Sequence, residues 1–374
     1  MTVFGELQAF KASRRLDGSD VDLNFDRLRK NRDAGVLTNL LVDTNVMKEV
    51  DRVCRDAVPA TEGGLRGGSG DHSLLELVHF LRECDRRELP YTWTPFFAFS
   101  EMPHEIAQER IGRFDIFAKK FGIFWQDDDP NSARDFSNIG RVDHTRYGEL
   151  DRNMQSIMGL SFASFMLMHI INRDLAECSP IGKFRRFTRE YRKRIPVFSG
   201  REITIARYIF ADQQDCPRNL DDVRIQVDRN FGRHRKKRPV TADAMEAAAL
   251  NGASDLLFLN AMNIADTKGI DGTKLDCWLL SFDRKLRVFC DFCYSTAFGT
   301  GQAGAYLITP DRTGETEYWD LTEMELRRLE LGGAKRLKAV MSMERDARDA
   351  AMSEQISKLP EIASSLVQLA VTGL

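Results

Sequence analysis

Four acidic residues stand where the pattern of the chain changes: Asp43, Glu101, Asp255 and Asp283. Their carboxylate oxygens are the ligands that hard divalent cations such as Mg²⁺ and Mn²⁺ prefer. If the four side chains converge, their mutual repulsion raises some of their pKa values, and bound cations relieve it. One or two ions held in this way can activate a water and stabilise the leaving oxygen in phosphodiester hydrolysis. The residue types therefore suit metal-dependent phosphodiester chemistry, provided that the fold brings them together.

Three of these acids follow runs that predict β-strands. Asp43 follows the apolar part of Val36–Val46, Glu101 follows Tyr91–Ser100, and Asp283 follows Cys277–Phe282. Short apolar runs of this kind are typical of parallel strands buried on both faces. Ligands in open parallel sheets bind at the carboxyl ends of the strands. The pattern therefore predicts an α/β fold with a Rossmann-like parallel sheet and three acids on one edge.

The fourth acid is open between two positions. Asp255 opens a predicted helix that directly precedes the last acidic strand, and Asp243 opens the helix before it. We prefer Asp255 because of that proximity. For Asp43 a second interpretation is the capping of the following helix, a role that Asp often takes. The CxxC pair Cys290 and Cys293 has no second pair at a zinc-ligand spacing, so we interpret both as core residues.

The acidic pattern resembles that of the PIN-domain nucleases. The matching segments are LLVDTN, TPFFAFSE, ASDLLFLNAMNIA and LLSFDRKL, with Ser281 as the small hydroxyl residue two positions before the last acid. The resemblance implies a Rossmann-like sheet and Mg²⁺- or Mn²⁺-dependent cleavage of RNA or, less often, DNA. It implies that Asp43, Glu101, Asp255 and Asp283 bind the metal. It also carries a mild expectation of a homo-oligomer.

The resemblance covers less than half of the chain, because more than 150 residues separate Glu101 from Asp255. We therefore expect a PIN-like domain formed by residues 36–110 and 240–310 and interrupted by a mostly helical insertion at 111–239. An N-terminal arm, 1–35, and a helical C-terminal tail, 311–374, complete the predicted organisation.

Two basic runs fall within the predicted insertion, Lys183–Arg194 and Arg229–Arg238. The first has Phe184, Phe187 and Tyr191 interleaved with its charges. Such runs are often solvated faces, but clustered cations with aromatic side chains also suit a nucleic-acid track. Two rival functions stay open: a nuclease that acts on DNA structures, and a non-catalytic PIN-like protein that binds nucleic acid. A phosphatase is disfavoured, because DTNV lacks the second acid of a DxDx motif.

Composition favours a soluble, cytoplasmic protein without a membrane partner. The hydrophobic fraction is 43%, the charged fraction 29% and the net charge −2. Seven cysteines at irregular spacing indicate a reducing compartment. The most apolar helical run, Met158–Ile171, is short for a bilayer span and predicts a buried helix.

Three local patterns complete the expectations. Phe4, Leu7 and Phe10 have helical spacing, Asn251–Gly252 marks the end of a helix, and Thr322 with Glu325 has the spacing of a capping box at a helix start.

Overall fold

The computed structural model describes residues 2–14, 22–54, 61–65, 73–95, 98–99, 102–123, 146–270, 272–296, 306–308 and 316–374. The chain divides into two compact units. We call the first the sheet unit, with residues 1–143, 258–290 and 294–307, and the second the helical unit, with residues 144–257, 291–293 and 308–374. These boundaries differ from the division expected from sequence: the N-terminal strands belong to the sheet, and the C-terminal helices group with the residues from 144 to 257.

The sheet unit is α/β, built around a mixed five-stranded sheet with the order β1-β2-β6-β4-β5. Its strands are β1 (Thr2–Phe4), β2 (Leu7–Phe10), β4 (Val36–Val42), β5 (Tyr91–Thr94) and β6 (Lys274–Ser281). Its helices are α1 (Phe25–Asp33), α2 (Thr44–Cys54), α3 (Glu62–Leu65), α4 (Ser73–Arg86), α5 (His104–Phe121) and α11 (Arg284–Phe292). The short strands β3 (Ser13–Arg14), β7 (Cys293–Thr296) and β8 (Tyr306–Ile308) form a second sheet.

The strand β4 lies between β5 and β6 and pairs in parallel with both. Its residues from Thr38 to Val42 are buried. The polar side chains in this strand are satisfied, because Asn39 Oδ1 accepts hydrogen bonds from the hydroxyls of Thr92 at 3.1 Å and Thr94 at 2.9 Å. The predicted parallel arrangement is therefore correct for these three strands, and the sheet as a whole is mixed.

The N-terminal segment forms a β-hairpin, so the helical spacing read at Phe4, Leu7 and Phe10 was the wrong period. Phe4 pairs with Leu7 across a two-residue turn, and Gly5 in that turn has φ +61°. A left-handed residue at this turn position suits glycine and matches the twist of the paired strands. The hairpin then pairs antiparallel with β6 through β2.

The strand β5 is shorter than the predicted Tyr91–Ser100, because it ends at Thr94. Pro95 follows and has no N–H to donate to a neighbouring strand, and residues 98–99 are helical. Glu101, predicted directly after this strand, lies outside the described residues.

The helical unit contains α6 (Arg152–Asp174), α7 (Pro180–Arg194), α8 (Gly200–Phe210), α9 (Asp221–Phe231), α12 (Glu317–Met341), α13 (Arg345–Ser357) and α14 (Leu359–Thr372), with short 3₁₀ turns at 147–149, 213–215 and 218–220. A further helix, α10 (Ala242–Lys268), contributes residues to both units. The helix predicted to end at Asn251–Gly252 is thus continuous. Gly252 serves packing, since a Cβ there would meet the rings of Phe165 and Phe231 at 3.0 to 3.2 Å.

The first C-terminal helix begins six residues earlier than the capping box at Thr322 predicted. Thr316 is the N-cap, and its hydroxyl accepts from the Trp319 backbone N–H at 3.2 Å. Thr322 lies inside α12 and accepts a hydrogen bond from Arg207 Nε at 2.8 Å. Arg207 is buried and stacks on Trp319 with its guanidinium carbon 3.7 Å from the ring centroid. Thr322 therefore binds a buried arginine and does not cap the helix.

Candidate active site

Asp43 and Asp283 lie beyond the carboxyl ends of two neighbouring parallel strands. Asp43 follows β4 directly, and Asp283 follows β6 after Phe282. The register pairs Val42 with Leu280, and the Asp43 backbone N–H donates to the Leu280 carbonyl at 3.1 Å. These two acids therefore occupy the same edge of the sheet, as the sequence predicts.

Ser281 and Asn45 link the two strand ends. The Ser281 hydroxyl donates to Asp43 Oδ2, and the same oxygen accepts from Asn45 Nδ2 at 2.7 Å. Ser281 Oγ also accepts from the Asp283 backbone N–H at 2.8 Å, and Asn45 Oδ1 accepts from the Phe282 backbone N–H at 3.1 Å. The two side chains thus orient the Asp43 carboxylate and hold the backbone that carries Asp283.

Asp283 also begins a helix. Its Oδ1 accepts from the backbone N–H groups of Lys285 at 2.7 Å and Leu286 at 3.3 Å, which caps α11. Its Oδ2 lies 3.2 Å from Lys285 Nζ in a partly exposed ion pair. At Asp43 the backbone carbonyl starts α2, accepting from the Met47 N–H at 3.1 Å. The Asp283 side chain thus caps its helix, and the Asp43 carboxylate, for which the sequence left capping open, accepts from the Thr44 backbone N–H at the start of α2.

The electrostatics of the edge favour a cation. Burial raises the pKa of the Asp43 carboxyl, and the nearby Asp283 charge raises it further, against the lowering effect of hydrogen bonds from Ser281, Thr44 and Asn45. A divalent cation would offset both the burial of charge and the repulsion between the carboxylates. Two carboxylates and a set of waters are a donor set that Mg²⁺ accepts. The described residues of the edge therefore fit a hard metal ion.

The other predicted acids are not brought to this pair by the described residues. Glu101 is outside them. Asp255 lies in the middle of α10 instead of at a helix start, within the helical unit, where its Oδ2 accepts from Asn230 Nδ2 at 2.9 Å. Asp243 lies in the first turn of the same helix, exposed, with Arg146 at 3.6 Å. Among the described residues, no group of three or more His, Cys, Asp or Glu side chains is placed to hold a metal.

Two further acids, which sequence reasoning missed, form a buried network near the amino end of β6. Asp276 Oδ1 accepts from Lys11 Nζ at 2.5 Å and Arg27 at 2.6 Å, and its Oδ2 accepts from Arg27 Nε at 2.6 Å and Asn31 Nδ2 at 2.7 Å. Asp266 Oδ1 accepts from Lys11 Nζ at 2.8 Å. The sequence signal that could have revealed this network is the carboxylate of Asp276 inside an apolar strand, because a buried carboxylate requires a cation beside it in the fold.

The interpretation of the first basic run as a stacking platform was wrong. In α7 the side chains of Phe184, Phe187 and Tyr191 are buried in the core of the helical unit, so no base can stack on them. Their spacing reflects an amphipathic helix whose other face carries the arginines. The charges of this run remain a candidate surface for an anion.

The second basic run ends α9 and forms a tight turn. Arg235 and Lys236 have φ of +48° and +69°, and His234 and Lys237 exchange backbone hydrogen bonds at 2.7 and 3.0 Å. Arg233 is paired with Asp228 at 2.6 Å. This run therefore presents its cations on a turn instead of a helix face.

The apolar run of the helical unit is longer than its sequence suggested. The helix α6 has 23 residues and is long and apolar enough to cross a membrane by length and composition, yet 72% of its apolar window is buried inside the protein. Helices in the cores of soluble proteins have the same properties. The CxxC thiols are also buried: Cys290 lies in α11 and Cys293 begins β7.

No protein-family model, curated protein or solved structure shows a significant match to this chain. Function therefore has to be argued from the residues of the site.

Proposed function

We propose that the protein is a Mg²⁺- or Mn²⁺-dependent endoribonuclease whose metal site is centred on Asp43 and Asp283. The observation that carries the proposal is the placement of these two carboxylates beyond adjacent parallel strand ends, joined through Ser281 and Asn45. The pKa of Asp43 is raised by burial first and then by the Asp283 charge. Such a pair at the ligand-binding edge of a parallel sheet is better explained by a cation than by stability.

Each residue of the pair has a distinct role in this proposal. Asp43, oriented by two donors on its Oδ2, presents its remaining lone pairs to the metal. Asp283 contributes a carboxylate whose Oδ1 is fixed by the amino end of α11. Ser281 and Asn45 are positioning residues. When bound, the metal would supply activation of water and charge stabilisation on the leaving oxygen.

Glu101 and either Asp255 or Asp243 are proposed to complete the set, on the PIN-domain resemblance alone. The same resemblance makes RNA the preferred substrate over DNA, and it extends to a cytoplasmic, self-associating protein. The third acid is open to a direct comparison. Asp255→Asn is expected to lower cleavage and Mn²⁺ affinity, and Asp243→Asn is expected to leave both unchanged. The opposite result would move the ligand to Asp243.

The test is cleavage of labelled single-stranded RNA in Mn²⁺ by the parent, Asp43→Asn and Asp283→Asn. Each substitution keeps the shape of the side chain and removes its charge. Asp33→Asn, at an exposed carboxylate of α1, is the matched control. We expect a loss of at least about 100-fold in both site variants, the upper end of what altering the surroundings of a metal ligand costs, and no loss in the control.

Two results would contradict the proposal. Equal activity in all four proteins would place catalysis elsewhere or in a contaminant. Absence of cleavage in the parent, on RNA and on matched DNA, together with unchanged Mn²⁺ binding in both site variants, would favour a nucleic-acid-binding protein without catalysis.

A further inference from the structure

A strongly basic groove runs between α7 and α12 in the helical unit. Its volume is about 820 Å³. The lining residues are Gly182, Arg185, Arg186, Thr188, Arg189, Arg192, Lys193, Glu325, Arg328, Leu329 and Arg336. Seven of these carry positive charge and one carries negative charge, so the groove is a site for an anion.

Most of the positive charge in the groove is uncompensated. Glu325 is the acid among the lining residues, and it is shared between Arg328 at 3.1 Å and Arg185 at 3.7 Å. Arg186 pairs with Glu190, on its own helix, at 3.3 Å. Among the described residues, Arg189, Arg192 and Arg336 have no carboxylate within 4 Å, and all three are exposed. Cations held this close repel one another, which gives a bound polyanion an electrostatic gain.

The predominance of arginine over lysine in the groove indicates a phosphate ligand. Six of the seven cations are arginines, whose planar guanidinium groups bind phosphate oxygens in pairs. The Arg186 Nε is buried and has no hydrogen-bond partner among the described residues. Among the described residues, the lining includes one large apolar side chain, Leu329, and no aromatic ring. The groove therefore offers phosphate contacts and no slot for a base.

The shape of the groove favours a chain over a compact ligand. The cations of α7 extend along the helix from Arg185 to Lys193, and with Gly182 the lined face is about 16 Å long at 1.5 Å per residue. At the duplex rise of about 3.4 Å of helix axis per phosphate on each strand, this length spans at most about five phosphates, and an extended single strand places fewer along it. On α12, Gly332 occupies the same face as Glu325, Leu329 and Arg336 by helical spacing, and a Cβ there would meet nothing within 4 Å. This face of α12 therefore has no side chain at position 332, between Leu329 and Arg336.

We propose that the α7–α12 groove binds the phosphate backbone of a nucleic-acid strand and leaves the bases outside. The inference rests on the proposed function for the identity of the polyanion, and it adds where the strand is held and how. Because the groove contacts phosphates alone, binding is independent of sequence and nearly equal for RNA and DNA. It also requires no metal.

The test measures binding separately from cleavage. Fluorescence anisotropy of labelled 20-mers of rU, rA and dT is recorded in EDTA, with Asp43→Asn as the background so that no cutting occurs. The groove variant carries Arg189→Gln, Arg192→Gln and Arg336→Gln. The control variant removes three exposed charges from the same unit outside the groove, through Arg218→Gln, Lys338→Gln and Arg345→Gln.

We expect the groove variant to bind all three strands at least about 10-fold more weakly near 0.15 M salt. The slope of log affinity against log salt should fall by about 2, since each lost phosphate contact releases about 0.7 fewer counterions on a single strand. The control should stay within about 2-fold of the parent. A loss of the same size in the control would reduce the effect to net charge, and no loss in the groove variant would remove the groove from binding; either result overturns the proposal.

Two further variants test sign and shape. Glu325→Gln removes the acid of the groove and should tighten binding, whereas Gly332→Leu adds volume without changing charge and should weaken it. A nucleoside triphosphate that competes as well per molecule as a 20-mer would show a compact-ligand pocket and overturn the strand proposal. Groove-dependent binding by a parent that cuts no substrate would retain this inference while the nuclease proposal fails.

Discussion

The strand β6 has carboxylates near both of its ends, and the two surroundings differ. Near the amino end, Asp276 is buried and receives two cations and an amide. Although burial alone would raise its pKa, the hydrogen bonds and charges of Arg27 and Lys11 hold the pKa of Asp276 well below its usual range. Beyond the carboxyl end, Asp283 shares the sheet edge with Asp43, whose pKa is raised by burial first and by that shared charge.

The difference separates structure from function in physical terms. A carboxylate that is paired with buried cations stabilises the fold through those ion pairs. Removal of one partner leaves the other charge buried without compensation, which is strongly destabilising. A carboxylate whose ionisation is opposed by its surroundings contributes little to stability and is available to a ligand. On this criterion Asp276 is structural and Asp43 belongs to the proposed site.

The largest expected effect is on stability at the structural end. Asp276→Asn leaves the buried Lys11 and the partly buried Arg27 with one carboxylate fewer, and we expect it to cost about 3 kcal/mol, as for other broken buried pairs. Asp43→Asn should change stability by less than about 1 kcal/mol. Urea denaturation followed by circular dichroism measures both. Equal losses of unfolding free energy in the two variants would contradict a structural role for Asp276 that Asp43 lacks.

The pH dependence of stability should have opposite signs at the two ends. The pKa of Asp276 is lowered on folding, so its contribution is present above its unfolded pKa and is lost as the pH falls through the folded value. The pKa of Asp43 is raised on folding, mainly by burial, so the folded state binds its proton first and gains stability as the pH falls toward the unfolded value.

Two variants read out these signs by urea denaturation between pH 3 and pH 7. Any advantage of Asp43→Asn over the parent should be greatest at neutral pH and shrink as the pH falls. The deficit of Asp276→Asn should likewise be greatest at neutral pH and shrink at the acidic end. A deficit of Asp276→Asn that grows with acidity would contradict a lowered pKa at this residue.

The sequence predicted the parallel strands β4 and β6 and the placement of Asp43 and Asp283 at one edge of the sheet. Their apolar composition alone identified the strands at Val36–Val42 and before Asp283, because both are buried on two faces. Parallel pairing of these strands then places the two acids at one edge. The network of Asp276 was missed because its cations come from α1 and from the residue after β2, which become neighbours only in the fold. The role of Asn45 was also missed, since it depends on the backbone N–H of Phe282, which follows another strand.

Other errors had the same origin in tertiary packing. Gly252 resembles a helix end, but its neighbours in space are two aromatic rings. The aromatic residues of α7 resemble a stacking surface, but they form the core. A one-dimensional pattern specifies which residue types alternate, and it does not specify what lies opposite them. Charge and ring patterns are therefore less reliable than apolar runs.

An intermediate effect is expected at Ser281, which serves both Asp43 and the backbone at Asp283. Ser281→Ala removes a donor to Asp43 Oδ2 and leaves the Asp283 N–H without its acceptor. We expect about 1 kcal/mol of lost stability and a loss of cleavage of about 10-fold. Because the Ser281 hydrogen bond lowers the pKa of Asp43 against the effect of burial, its removal should raise that pKa and move the acidic limb of the pH–rate profile to higher pH.

A purely structural role for Ser281 would lower activity evenly at every pH. Ser281→Thr, which keeps the hydroxyl, is the matched control and should restore the position of the acidic limb. An unshifted limb in Ser281→Ala would show that this hydroxyl does not set the ionisation of the site.

The smallest effect is expected from a lysine that only borders the site. Lys285 Nζ lies 3.2 Å from Asp283 Oδ2, with 38% of the lysine side chain exposed, whereas the Lys11 side chain is 4% exposed between two acids. An exposed pair contributes about 0 to 1 kcal/mol, so Lys285→Gln should leave the urea midpoint nearly unchanged. It also removes a positive charge from the edge, and Mn²⁺ titrated by calorimetry should bind a few-fold more tightly. Lys11→Gln, by contrast, should lower stability strongly, because the buried carboxylates of Asp266 and Asp276 would lose the cation that they share. Weaker Mn²⁺ binding in Lys285→Gln would mean that the lysine organises the site instead of competing with the metal for Asp283.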